Sequence, residues 1–293
     1  MPSIDEIIQE VHQSPRGILD LRRREYINKL SKKRNRNVIC YYSGWLQKNN
    51  SSRADTISDL DTEGFMANIH GLDKSKGLDL ILHTPGGSLS AVEQLIKYLK
   101  SCFNNDIEAF VPQLAMSAGT MMACSCRVIY MGKQSAIGPT DPQFNGIPAG
   151  GIEREFKQAV KETQENPAAG AMWAQIISKY NPTMLGECQN AVKASTEMVE
   201  GWLKDNMLRD DPAGAKRVAS WLGTHEESAM HDRHIDLEQA RFIGLKIKRL
   251  EDDDELQEIV LTIHHTYMLS FENSTARKMI ENSNGKSWII RQQ

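Results

Sequence analysis

The sequence predicts an α/β protein with a mostly parallel sheet, helices on both of its faces and a helical C-terminal extension. Two observations carry that reading. Between residues 78 and 131, apolar strand-like runs alternate with helical patterns across tight turns, as right-handed βαβ crossovers require. The runs are also nearly continuous in apolar residues, the pattern of strands covered on both faces. After about residue 145 the strand patterns give way to helical ones.

In chain order, residues 3–34 place Ile4, Ile7, Ile8, Val11, Ile18, Leu19, Ile27 and Leu30 at helical spacing. Residues 37–42 (NVICYY) form a short β-branched strand, 47–58 a polar loop, and 61–72 an amphipathic helix opening on an acidic cap. Then come a strand at 78–84, a Pro85-Gly86-Gly87 turn, a helix at 88–102, a strand at 107–114, a turn at 115–117, a small-residue helix at 118–126 and a strand at 127–131. Residues 135–143 are extended and rich in turn formers, and 146–151 form a loop. Helices are expected at 153–164, 168–179, 184–208, 236–244, 256–271 and 274–281, before an apolar end at 288–290. The division is a helical N-terminal segment at 1–36, a core at 37–145 and an extension at 146–293, all within one domain.

Composition removes several classes of function. Of 293 residues, 40% are hydrophobic and 25% charged, which excludes wholesale disorder and fibrous repeats. Lys+Arg of 35 against Asp+Glu of 38 leaves a net charge of −3, so no broadly basic nucleic-acid surface is expected. No segment approaches the ~20 apolar residues of a membrane span, and residues 1–14 lack a positive stretch leading into a hydrophobic one. The expectation is a soluble, cytoplasmic protein that engages neither membrane nor nucleic acid. Five cysteines, an odd number, suit reduced thiols. Cys124-x-Cys126 has no second pair at zinc spacing and reads as small apolar filler, so neither metal nor cofactor is expected.

Two consecutive strand-to-helix turns concentrate the chemistry: Thr84-Pro85-Gly86-Gly87-Ser88 and Ala115-Met116-Ser117-Ala118-Gly119. In a parallel sheet both fall at the carboxyl ends of strands, where ligands bind. Paired glycines let backbone N–H groups approach a ligand. A serine opening a helix sits among N–H groups that lack intrahelical acceptors, where the helix dipole favours developing negative charge. Acyl transfer uses this combination of hydroxyl and converging N–H groups. Singly, the first motif is an ordinary turn and the second an N-cap.

The runs LILHTPGGSLSAVEQLIKYLK and AMSAGTMMACSCRVIYMGKQSAIGPTDPQF resemble the ClpP/crotonase superfamily, and within it the signal peptide peptidase A-like and serine dehydrogenase proteinase families. HDRHIDLEQARFIGLKI is similar to a C-terminal element that these families share, and TIHHTYMLSFENSTARKMIE to the tail of the dehydrogenase-proteinase branch. The likeness covers residues 37–290 and is densest at 78–144. It implies a ClpP/crotonase-like repeated ββα superhelix. It also implies Ser117 as nucleophile, and an oxyanion hole from the Gly87 and Ala118 N–H groups with Gly86 setting the turn. Ser88 is read as the cap of the next helix. The sequence departs from ClpP in one respect: no histidine lies between His83 and His225.

That departure points to the Ser–Lys chemistry of signal peptide peptidase A, and Lys179, just before the helix starting at 184, occupies the corresponding context. To act as a base it should be desolvated beside Ile176 and Ile177; otherwise it is a solvated helix-end lysine. Asp141 is either the cap of an Asx-turn or a group that orients or replaces the base. His231, with His234 at helical metal spacing, is a surface residue or a base reaching the site from a neighbouring subunit. The resemblance implies a homo-oligomer, a trimer or a multiple of one, acting on peptide or protein substrates. The chain holds no P-loop, so the peptidase would be independent of ATP unless a separate regulatory partner supplied it. Two alternatives stand beside it: a crotonase-type enzyme acting on acyl-CoA, and a catalytically silent scaffold subunit.

Overall fold

The computed structural model describes residues 17–50, 52–144, 146–223 and 233–292. Its first half comprises α1 (Ile18–Arg34), β1 (Asn37–Ser43), α2 (Asp61–Ile69), β2 (Leu78–His83), α3 (Leu89–Phe103), β3 (Ile107–Val111), β4 (Leu114–Ala115), α4 (Ala118–Cys124), β5 (Ile129–Met131) and β6 (Ala136–Ile137). The second half follows as β7 (Gln143–Phe144), β8 (Ile147–Pro148), α5 (Ala149–Glu165), α6 (Ala169–Ile177), α7 (Met184–Asp205) and α8 (Pro212–Gly223). It closes with β9 (Ile235–Asp236), α9 (Leu237–Phe242), β10 (Ile247–Arg249), α10 (Asp254–Glu272), β11 (Ala276–Asn282) and β12 (Ser287–Arg291). The expected helix at residues 3–16 lies outside the described residues.

A seven-stranded sheet in the order β10-β5-β3-β2-β1-β11-β12 forms the centre. Its first five strands are parallel, and β11 and β12 add an antiparallel hairpin beside β1. Successive side chains on each strand feed opposite cores, as the pleat dictates. Ile39, Tyr41, Leu80, Leu82, Ala109 and Val111 pack under the helical layer that includes α3, α4 and α7. Val38, Cys40, Tyr42, Ile81 and Phe110 pack under α1 and α10. Both faces are therefore buried, which explains the continuous apolar runs of β1 to β3. Helices α5 and α7, with Tyr180 from the turn after α6, enclose a small core of their own around Ala149, Ile152 and Cys188.

The structure corrects the sequence reading at the C-terminus. The expected helix over 274–281 is strand β11, and its turn to β12 carries Asn284-Gly285, with Gly285 at φ 80°. Tertiary pairing overrides the helical look of Arg277-Lys278-Met279-Ile280-Glu281. Arg277, Lys278 and Glu281 are all buried. Arg277 meets Asp55 at 2.6 Å, Lys278 meets Asp61 at 2.7 Å, and Glu281 pairs with Arg23. Strand β10 and helix α8 were not anticipated either. Three of the seven central strands thus come from residues after 145, so the sheet extends beyond the 37–145 segment. Helix α1 packs into the same core.

Histidines close the α10 face of the sheet. His83, at the end of β2, lies edge-on to His264 with ring centroids 5.1 Å apart. Burial, with a contribution from His265, lowers His264 from the ordinary 6.5 to about 3. The neutral ring is favoured by folding, so its contribution is complete above about pH 6.5. It is lost as the unfolded chain takes up a proton that the folded chain refuses, between about pH 6.5 and 3. Denaturant titrations should show stability falling with acidification across that window by up to ~1.4 kcal/mol per pH unit from this group. His264→Gln should flatten the slope, and an unchanged slope would contradict the assignment.

Candidate active site

The two glycine- and serine-bearing turns are drawn together by short parallel bridges. Thr84 N–H donates to the Leu114 carbonyl at 3.1 Å, and Met116 N–H to the Thr84 carbonyl at 3.0 Å, which aligns the turn after β2 with the turn after β4. A second bridge joins Ile57 to Gly87. Ile57 N–H donates to the Gly86 carbonyl at 2.8 Å, and Ser88 N–H to the Ile57 carbonyl at 2.9 Å. When a residue bonds the two neighbours of its parallel partner, the partner's own N–H and C=O point the other way. Gly87 therefore turns its amide away from Ile57. Among the described residues no backbone acceptor takes the Gly87 or Ala118 N–H.

The turns touch. A side-chain carbon on Gly86, whose φ is 100°, would stand 2.8 Å from Ser117 Cβ and 3.0 Å from the Ala118 nitrogen. Gly119 brings the start of α4 against Thr84, where a Cβ would meet the threonine methyl at 2.5 Å. Ser88 caps α3 by accepting the Ala91 N–H at 3.3 Å. Ser117 behaves differently: it precedes α4 at φ 52° and ψ −118°, and its hydroxyl caps nothing. Among the described residues four non-glycine residues have positive φ, and the other three are asparagines, which tolerate it. A serine held there costs ~1–3 kcal/mol, a kind of strain that clusters at functional sites.

Gly86, Gly87, Ser117, Ala118 and Asp141 line one cleft of about 370 Å³, together with Thr140 and Ser195. Asp141 is 1% exposed. Its segment is anchored by Thr140, whose carbonyl accepts the Ser195 hydroxyl of α7 at 2.7 Å and whose N–H donates to the Leu222 carbonyl at 2.8 Å. Gly138 crosses close to the Ser117 turn, where a Cβ would lie 3.3 Å from the Ser117 nitrogen. The residues that line the cleft thus bring a hydroxyl, the Gly87 and Ala118 amides and a carboxylate to it.

Lys179 is not brought to this cleft. It is exposed in the turn after α6, at the end of that helix remote from the 166–168 turn that joins it to α5; Trp173 Nε1 ties the two helices together by donating to Glu162 at 2.8 Å. The desolvation beside Ile176 and Ile177 that the sequence reading required is absent in the single chain, where both are only half-buried. His231 lies outside the described residues. Burial pushes the Cys124 and Cys126 thiols up to about 12, as inert filler requires. Among the described residues no group of three or more His, Cys, Asp or Glu side chains could hold a metal. No helix among them is long and apolar enough to cross a membrane.

Sequence reasoning missed Ile57 and Ser195. Ile57 falls within the polar 47–58 loop of the sequence reading, and its signal is a lone β-branched apolar residue in SSRADTISD, which is 1% exposed in the fold. Ser195 carries no local signal, being one of several small residues on a long helix.

The family described as ClpP-like SDH-type serine proteinase matches residues 10–261. An uncharacterized protein of Methanocaldococcus jannaschii is 28% identical over 207 residues, covering 71% of this chain and 64% of that protein. A second uncharacterized protein of the same organism is 31% identical over 169 residues, covering 57% of this chain and 52% of its own length. The chain therefore spans between about half and two thirds of these curated relatives. Among solved structures, a mutant of 1510-N, a membrane-bound stomatin-specific protease, is similar with a TM-score of 0.41 at 16% identity, covering 79% of this chain and 86% of that one.

Proposed function

Because the chain belongs to the ClpP-like SDH-type serine proteinase family, we propose that it hydrolyses peptide bonds with Ser117 as the nucleophile. The observation that carries this reading is the strained Ser117 backbone at the wall of a cleft shared with Gly87 and Ala118. Ser117 Oγ attacks the scissile carbonyl, and the Gly87 and Ala118 N–H groups donate to the developing oxyanion. A base takes the serine proton and returns it to the leaving amine. Water then hydrolyses the acyl-enzyme and regenerates Ser117. A peptide substrate lies extended along the outer edge of Gly87, held by main-chain hydrogen bonds, since Ile57 occupies the inner edge.

Lys179 serves as the base in an assembled homo-oligomer, a trimer or a multiple of one. Val160 of α5 and Met172 of α6 are 59% and 53% exposed, and a neighbouring copy that covers this helix pair as far as the end of α6 would desolvate Lys179. The chain works in the cytoplasm without ATP of its own. A second reading gains from Asp141, which brings a carboxylate into the cleft: a crotonase-type enzyme would use it as acid/base beside the same two amides.

Fluorophosphonate labelling separates these readings. The peptidase reading expects one adduct per chain, at Ser117, with Lys179→Ala slowing labelling by about 10²-fold and Asp141→Ala having little effect. The reverse ranking moves the base to Asp141. No adduct on the wild-type chain retires the peptidase.

A further inference from the structure

We infer that Lys278 is a positioning residue for the oxyanion turn, acting from the C-terminal hairpin through the backbone of Ile57. The inference rests on the peptidase reading above. It concerns residues that lie beyond the 10–261 segment matched by the family.

Lys278 is fully buried on β11. Its ammonium donates to Asp61 Oδ1 at 2.7 Å, to Asp61 Oδ2 at 2.9 Å and to the Thr56 carbonyl at 2.7 Å. Asp61 Oδ2 in turn accepts the Ser58 N–H at 2.9 Å and the Tyr41 hydroxyl at 2.8 Å. The two residues flanking Ile57, Thr56 and Ser58, are thus both held by one buried ion pair. Ile57 then holds the two residues flanking Gly87, accepting from Ser88 and donating to Gly86. Arg277 fixes the start of the same segment, meeting Asp55 at 2.6 Å and the Asn50 carbonyl at 3.0 Å.

Fixation passes from hairpin to segment and from segment to turn, leaving the Gly87 amide aimed at the cleft. The arrangement is costly by ordinary standards. A buried ion pair is often no more stabilising than an apolar one of equal size, so energy alone does not account for it here. Geometry does. An oxyanion donor is effective only near its ideal distance, and losing one costs ~10²–10³ in kcat. A partial displacement, from a relaxed Ile57, should cost part of that.

The test compares two charge-neutralised pairs on the same hairpin, using the full chain. Lys278→Met/Asp61→Asn removes the tether to Ile57; Arg23→Met/Glu281→Gln removes the buried pair on the opposite face. Steady-state hydrolysis of an activated ester and the fluorophosphonate labelling rate are measured alongside melting curves. The expected result is a 10- to 100-fold fall in kcat and in labelling for the first pair, with KM within about twofold. The second pair should keep wild-type kcat whatever its melting temperature. A folded Lys278→Met/Asp61→Asn chain with wild-type kcat overturns the inference. So does an equal kcat loss in both pairs, which is what a merely structural role predicts. If the first pair does not fold, Lys278→Arg carries the test: it keeps the charge but shifts the donors, and an unchanged kcat overturns the inference. A wild-type chain that neither labels nor hydrolyses defeats the peptidase reading itself, a result visible before any variant is compared.

Discussion

Replacing Ser117 with glycine should abolish hydrolysis and, at the same time, leave the protein more heat-stable than Ser117→Ala. Both variants lose the nucleophile, and removal of a catalytic serine typically costs ~10⁶ in kcat. They differ in what they do to the backbone. At φ 52° and ψ −118° alanine suffers the same steric strain as serine, whereas glycine does not. Relief of ~1–3 kcal/mol of strain is partly offset by ~0.5–1 kcal/mol from the greater freedom of glycine in the unfolded chain. The remainder should place the melting temperature of Ser117→Gly about 2–4 °C above that of Ser117→Ala. Differential scanning calorimetry decides it. Equal or reversed melting temperatures would mean that the turn stores no strain, and that the backbone signal at Ser117 is not a functional one.

The halves of the molecule differed in how readily the sequence disclosed them. Strands β1, β2 and β3 and the turns after β2 and β4 were legible because each is a local pattern: an apolar run, then glycine or serine, then a 3.6-residue period. The convergence of Gly86, Gly87, Ser117 and Ala118 on one cleft follows from sheet topology, which places consecutive crossovers side by side. The hairpin of β11 and β12 was not legible, since its charged residues find partners 217 to 258 positions away in sequence. A local reading counts Arg277, Lys278 and Glu281 as solvated and therefore favours a helix. Asn284-Gly285 was a hairpin signal that the charge pattern masked. The same distance effect hid Ile57, whose function lies in its backbone and not in its side chain. The proposed base is hidden for another reason. Lys179 lies between α6 and α7 beside a small core separate from the main ones, so its environment is set by how those helices are covered and not by the residues next to it in sequence.

Gly87→Ala should cost at least about 10³-fold in kcat/KM, the largest loss expected from any residue that contributes no side chain. The new methyl carbon would stand 2.3 Å from the Ile57 carbonyl oxygen and 2.4 Å from its nitrogen, distances at which something must move. What moves decides the outcome. Were Ile57 on a loose loop, it would retreat and the turn would keep its shape. Ile57 is instead held on both flanks by the Lys278–Asp61 pair, so the turn itself must swing out. That displacement breaks the two hydrogen bonds at Gly86 and Ser88 and carries the Gly87 amide away from its aim point. Misplacement on the scale of 1 Å is enough to cost ~10²-fold, and the lost donor adds to it. Gly201→Ala is the matched control, lying within α7 with nothing inside 4 Å of the added carbon. It should gain ~0.5–1 kcal/mol in stability with activity unchanged. Combining Gly87→Ala with Lys278→Met/Asp61→Asn sharpens the argument, because residues coupled through a shared backbone segment depart from additivity. Once the tether is gone, Ile57 can yield to the methyl group, and the added cost of Gly87→Ala in the triple variant should be smaller than in the wild-type background. Strict additivity would place the two effects on separate structures and dissolve the link between hairpin and turn.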